Sequence, residues 1–93
     1  MEVQVFESVW DALEETPAKA ANLRLRADLM IALRAKVAEW DTTQVAAAQR
    51  LRITQPRLSD LLRGRIDRFS LDTLVNLAAQ AGLVIRLDIR AAA

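Results

Sequence analysis

Residues 44–63 read QVAAAQRLRITQPRLSDLLR, and this stretch predicts two short helices joined by a tight turn. Thr43 and Thr54 stand directly before the two helix starts, where a hydroxyl can accept a hydrogen bond from a free backbone N–H. Pro56 falls in the first turn of the second helix. Because proline lacks an amide hydrogen and its ring obstructs the preceding turn, one continuous helix cannot run through the segment. The sequence therefore predicts helices at 44–51 and 55–63.

The apolar spacing within this stretch is that of a helix-turn-helix. Counted from Gln44, the fifth residue is Ala48, which is small enough for two helices to cross closely. Apolar residues occupy positions eight, ten, fifteen and eighteen, namely Leu51, Ile53, Leu58 and Leu61. Polar side chains fill the outward positions of the second helix. The alternative interpretation is an ordinary turn of a helical bundle.

On the N-terminal side, Thr16-Pro17 is a second helix-start signal, a capping hydroxyl followed by proline at the first helical position. The chain then continues without Gly or Pro to Trp40, which predicts one long helix with Met30, Leu33, Val37 and Trp40 along its buried stripe. Upstream, the spacing of apolar residues predicts a short helix near 9–15 after a cap at Ser8. Residues 1–6 alternate in polarity and could form a short edge strand.

On the C-terminal side, Gly64 ends the second short helix, Ser70 begins another, and Gly82 closes it. After that glycine, apolar residues alternate with charged ones, which predicts a strand at 83–90 carrying Leu83, Ile85, Leu87 and Ile89. A lone strand leaves its backbone groups unpaired. Its partner would be residues 2–6 of the same chain, the same strand of a second protomer, or both.

These elements predict one small, mainly α-helical domain of 93 residues. It comprises an N-terminal extension at 1–15, a helical core at 17–82 and a C-terminal β-strand at 83–90, with about five helices in all. The chain contains no Cys and no His, which excludes disulfides, thiol nucleophiles and histidine bases or metal ligands. We expect no enzymatic activity, cofactor or metal. With no signal peptide or membrane-spanning stretch visible, we expect a cytoplasmic protein.

Charge is distributed unevenly along the chain. Residues 1–17 carry five acidic and no basic side chains, whereas residues 50–68 carry six Arg against two Asp. Arginine is the planar, bidentate donor suited to phosphates and guanine edges, so residues 50–68 are a candidate nucleic-acid contact. A solvated arginine-rich face is the alternative.

The sequence resembles the XRE (Cro-type) helix-turn-helix family, and within it the HigA-like antitoxins and phage-type regulators. The resemblance is carried by SVWDAL at 8–13, TQPRLSDL at 54–61, RG at 63–64 and FSLD at 69–72. It implies a lambda-repressor-like bundle and a sequence-specific regulator of transcription that binds double-stranded DNA as a homodimer on a palindromic operator. Family members often have Gly at the turn position that Arg52 occupies here. Either the turn adjusts, or Arg52 is tolerated there for a phosphate contact.

The family's docking mode implies roles for individual residues, and their chemistry suits those roles. The N-terminus of the helix at 55–63 would enter the major groove, with Gln55 binding adenine and Arg57 binding guanine. Asp60 would accept from cytosine or pair with Arg57 or Arg63. Other contacts, to phosphate or a base edge, are expected from Thr43, Gln44, Thr54, Ser59, Arg63 and Arg65, with Arg68 as a further candidate. Dimerisation is expected through Leu83, Ile85, Leu87 and Ile89.

The resemblance to HigA-like antitoxins also implies autorepression and neutralisation of a RelE/HigB-like toxin. Because such toxins are basic, the acidic segment 1–17 is a candidate docking surface; alternatively it packs on the basic long helix. A second hypothesis is a protein-interaction module that neutralises such a toxin without significant DNA binding.

Overall fold

Each α-helix of the computed structural model, which describes residues 16–92, begins immediately after a Ser or Thr. The helices are α1 (Pro17–Trp40), α2 (Gln44–Leu51), α3 (Gln55–Leu62) and α4 (Leu71–Gln80), with a 3₁₀ turn at Ile66–Arg68 between α3 and α4. The cap hydroxyls accept from the backbone N–H three residues later at 3.1–3.3 Å, and they belong to Thr16, Thr43, Thr54 and Ser70. Each such cap stabilises its helix by about 1 kcal/mol. The predicted starts of these helices are confirmed.

The turn between α2 and α3 has a residue in the left-handed conformation, although that residue is arginine and not glycine. Arg52 has φ 60° and ψ 43°, and its N–H donates to Gln49 O while the N–H of Ile53 donates to Ala48 O at 3.0 Å. These two bonds form the Schellman motif that commonly ends a helix, usually with glycine at the left-handed position. The turn has therefore not adjusted to the side chain of Arg52.

The core lies where α2 and α3 cross against α1 and α4. Its buried members come from all four helices and from the loop before α4, and they include Leu33, Ala48, Leu51, Leu58, Leu61, Phe69 and Leu74. Met30, Leu33 and Val37 form the predicted buried stripe of α1. Trp40 packs at the edge of the core, half-buried, with the Arg50 guanidinium 4.1 Å above its ring. The helix-turn-helix bundle expected from the spacing is confirmed.

The predicted C-terminal β-strand at 83–90 is wrong. Residues 83–92 have no regular secondary structure, and Val84, Leu87 and Ile89 are 73–84% exposed. Alternating polarity does not make a strand unless a second strand pairs with its backbone, and the described residues supply none. Leu83 instead packs against the core, while Ile85 and Leu87 line a groove of about 290 Å³ between α1 and α4.

Two sequence predictions lie outside the described residues: the short helix near 9–15 and the edge strand within residues 1–6. All regular secondary structure within residues 16–92 is helical, and it includes four of the about five expected α-helices. No helix within residues 16–92 combines the length and apolar character needed to cross a membrane.

Candidate nucleic-acid interface

One side of helix α3, away from the core, carries a set of three polar side chains. Leu58 and Leu61 are fully buried, and Gln55, Ser59 and Arg63 follow one another at i, i+4 and i+8. Residues at this spacing lie on the same side of a helix. Gln55 and Arg63 are exposed and Ser59 is half-buried. A ligand that approaches this side meets an amide, a hydroxyl and a guanidinium in sequence.

The starts of α2 and α3 add further polar groups. Thr43 and Thr54 are exposed, as are Gln44 and Gln55 at the first helical positions. Each threonine oxygen accepts a capping bond, but its O–H remains a donor that can rotate toward another acceptor. The first backbone N–H groups of a helix also point outward without helical partners, which makes a helix start favourable for an anion such as phosphate.

Arg57 does not lie on the same side of α3 as Gln55. Residues two positions apart in an α-helix are separated by about 200° around its axis. The structure places the Arg57 guanidinium 4.2 Å above the Phe69 ring. Its Nη1 donates to the Arg68 carbonyl oxygen at 2.7 Å. The side chain expected to bind guanine is therefore half-buried and engaged within the protein.

Asp60 pairs with the loop that follows α3. Its carboxylate lies 3.9 Å from Arg65 Nε and 3.3 Å from Arg68 Nη1, and only 20% of the side chain is exposed. The sequence instead predicts pairing with Arg57 or Arg63, or a contact to cytosine. An i, i+3 pair would lie within α3, whereas Arg65 and Arg68 belong to the loop that begins at Gly64.

The loop from Gly64 to Phe69 is also held by α1. Arg26 of α1 donates from Nη1 to the Ile66 carbonyl oxygen at 3.0 Å, and its Nε donates to Asn22 Oδ1 at 2.6 Å. Gly64 has φ +73°, and a Cβ at that position would lie 3.3 Å from Arg34 Nη1. Arg26 and Phe69 cannot be identified from sequence as part of this arrangement, since no local pattern links residues 40 positions apart.

The electrostatic character of this region is basic. Residues 50–68 hold six arginines, and both aspartates of the stretch are close to them in sequence. The side chains of Arg65 and Arg68 remain 39% and 51% exposed despite their contacts with Asp60. Within residues 16–92, no group of three or more acidic side chains is placed to hold a metal ion.

Comparisons with known proteins match most of the chain to a helix-turn-helix domain. Residues 12–90 match the family model described as "Helix-turn-helix domain". A solved structure titled "Putative XRE Family Transcriptional Regulator" is similar to this chain with a TM-score of 0.71 and 30% sequence identity. The similarity covers 80% of this chain and 83% of that one. No curated protein matches the sequence.

Proposed function

The chain belongs to the XRE-type helix-turn-helix family, and we propose from this membership that it is a sequence-specific regulator of transcription that binds double-stranded DNA. The observation that carries the proposal is the polar side of α3, formed by the exposed Gln55 and Arg63 with the half-buried Ser59, beside two capped helix starts. A helix of this width fits the major groove of B-DNA, where base edges can be distinguished.

In the proposed complex, the N-terminus of α3 enters the major groove and Gln55 bonds to the N6 and N7 edge of adenine. One such bidentate contact discriminates against a wrong base by about 1–3 kcal/mol. Ser59 and Arg63 follow along the same side of the helix. The starts of α2 and α3, with Thr43, Gln44 and Thr54, hold phosphates and so fix the protein on the duplex.

We test this function by selecting from a pool of random duplexes at about physiological salt, using the wild type and Gln55→Ala. We expect the wild type to enrich one motif and the variant to lose preference at one of its base pairs. The logarithm of the affinity should fall linearly with the logarithm of salt concentration. Asn76→Ala is a matched control, because it also removes an exposed side-chain amide but from α4 instead of α3. If the wild type enriches no motif, the proposed function is wrong.

We further propose a homodimer joined by the exposed apolar C-terminal segment, which carries Leu83, Ile85, Leu87 and Ile89. A dimer would place two α3 helices about 34 Å apart, one turn of DNA, and would favour a palindromic operator. Val84, Leu87 and Ile89 are all exposed within one six-residue stretch, and contiguous exposed apolar surface marks interaction sites in soluble proteins. Ile85→Asp with Leu87→Asp should sediment as a monomer; a dimer that persists in this double variant would contradict the interface.

The finer role we propose is that of an autorepressing antitoxin. The support is the charge contrast between residues 1–17, with five acidic and no basic side chains, and the basic surface of a RelE/HigB-like toxin. Coexpression with a toxin encoded beside the gene should yield a copurifying complex that is lost when residues 2–15 are deleted. Complex formation that survives the deletion would refute docking through this segment. Neutralisation without any DNA binding would favour an interaction module instead.

A further inference from the structure

Arg57 holds two contacts that a base-reading arginine would have to give up. Its guanidinium covers the Phe69 ring at 4.2 Å and donates to the Arg68 carbonyl oxygen at 2.7 Å. Phe69 is itself 2% exposed and belongs to the core. If Arg57 moved to a guanine, the Phe69 ring would lose its cation–π contact and the Arg68 carbonyl oxygen would lose a charge-assisted hydrogen bond.

The position of Arg57 on α3 also separates it from the side that Gln55 occupies. Asp60, three residues after Arg57, lies on the same side as Arg57 and pairs with Arg65 and Arg68. Thus two neighbouring side chains of α3 hold the loop from Gly64 to Phe69. A third anchor comes from α1, since Arg26 donates to the Ile66 carbonyl oxygen.

We propose that Arg57 stays on Phe69 when DNA is bound and acts as a positioning residue for the loop from Gly64 to Phe69. The loop then presents the exposed side chains of Arg65 and Arg68 to DNA phosphates, while the Gln55 side of α3 determines the preferred sequence. This inference rests on the DNA-binding function proposed above. It replaces the expectation that Arg57 reads a guanine.

The first test compares Arg57→Met with Gln55→Ala on the duplex that the wild type enriches and on its single-base-pair variants. Methionine keeps an unbranched apolar side chain against Phe69 and removes the guanidinium. We expect Arg57→Met to weaken binding by the same factor on every duplex and to lower the salt slope by about one to two. Gln55→Ala should instead reduce discrimination at one base pair by about 5- to 150-fold.

Two results would overturn the proposal. Loss of preference at one base pair in Arg57→Met, with an unchanged salt slope, would make Arg57 a base reader. Unchanged affinity and preference would show that the loop needs no anchor from Arg57. Failure of the DNA-binding function itself is seen separately, because the wild type would then enrich no duplex before any variant is measured.

The second test observes the wild-type chain with and without DNA, so its main readout does not depend on whether Arg57→Met folds. Protons on the Arg57 side chain should show upfield NMR shifts caused by the Phe69 ring, and Phe69→Leu should remove these shifts. We expect the shifts to persist when the enriched duplex is added to saturation. Their disappearance on binding would show that Arg57 leaves the ring for DNA and would refute the proposal.

Discussion

Replacing Arg52 by glycine should stabilise the protein. Arg52 holds a left-handed conformation with φ 60°, which costs a residue with a Cβ about 1–2 kcal/mol. Glycine removes that strain but loses about 0.5–1 kcal/mol through its greater freedom in the unfolded chain. The side chain of Arg52 is exposed, so its removal sacrifices no core packing. The midpoints of these two ranges differ by about 0.75 kcal/mol, so we expect a gain of about 0.5–1 kcal/mol in the free energy of unfolding.

Thermal unfolding measures this gain, and Arg52→Ala is the matched control. For a domain of this size, the expected gain raises the Tm by about 2–8 °C. Alanine also removes the guanidinium but keeps the Cβ, so Arg52→Ala should change the free energy of unfolding by less than about 0.5 kcal/mol. If the glycine variant is no more stable than the alanine variant, the reasoning from backbone strain is refuted.

The same pair of variants tests whether Arg52 contacts a phosphate. Both lose the charge, so both should bind the enriched duplex less tightly and show a salt slope smaller by about 0.9. A gain in stability combined with a loss in affinity would explain why arginine is tolerated in this strained turn. Unchanged affinity in both variants would exclude the phosphate contact.

Three further predictions concern stability and are measured by urea unfolding. Gly64→Ala and Gly82→Ala should each destabilise the protein by about 1–2 kcal/mol, because both glycines have left-handed φ angles, +73° and +84°. The Arg34 guanidinium, 3.3 Å from a Cβ at position 64, ends a flexible exposed side chain that can move aside, so a much larger loss at 64 than at 82 would contradict this expectation. Leu58→Ala should cost about 3–5 kcal/mol, since Leu58 is 0% exposed in the core, and a loss below about 1 kcal/mol would show that the site collapses around the cavity. Thr54→Ala should cost about 1 kcal/mol while Thr54→Ser, which keeps the cap hydroxyl, costs much less; similar losses would disprove the capping role.

The local features of this fold were predictable from sequence because their causes are local. A hydroxyl before a helix, a proline in the first turn and apolar residues at helical spacing act within a few positions, and the starts of α1 to α4 follow from them. The close crossing of α2 and α3 is predictable in the same way, from the small residue Ala48 at the crossing point. The helix-turn-helix could therefore be assigned before any tertiary contact was known.

The failures have a common physical origin in contacts between distant parts of the chain. Residues 83–90 alternate like a strand, but whether a strand forms depends on a partner that local sequence does not specify. Likewise, Arg57 has the chemistry of a guanine reader, and only the position of Phe69 and the Arg68 carbonyl, 11 residues away, shows where its guanidinium lies. The polar side chains of residues 55–63 can be read from the sequence, but their division between two sides of α3 depends on tertiary contacts.

The anchors of the loop from Gly64 to Phe69 have a consequence for protein engineering. Arg26 and Arg57 both donate to carbonyl oxygens, at Ile66 and Arg68, and every amino acid carries such an oxygen. Side chains at positions 65, 67 and 68 can therefore be randomised without removing either hydrogen bond, provided that position 65 or 68 keeps an arginine to pair with Asp60. A library built in this way would vary the charge offered to a bound polyanion on a fixed backbone, so that overall affinity could be evolved independently of sequence preference.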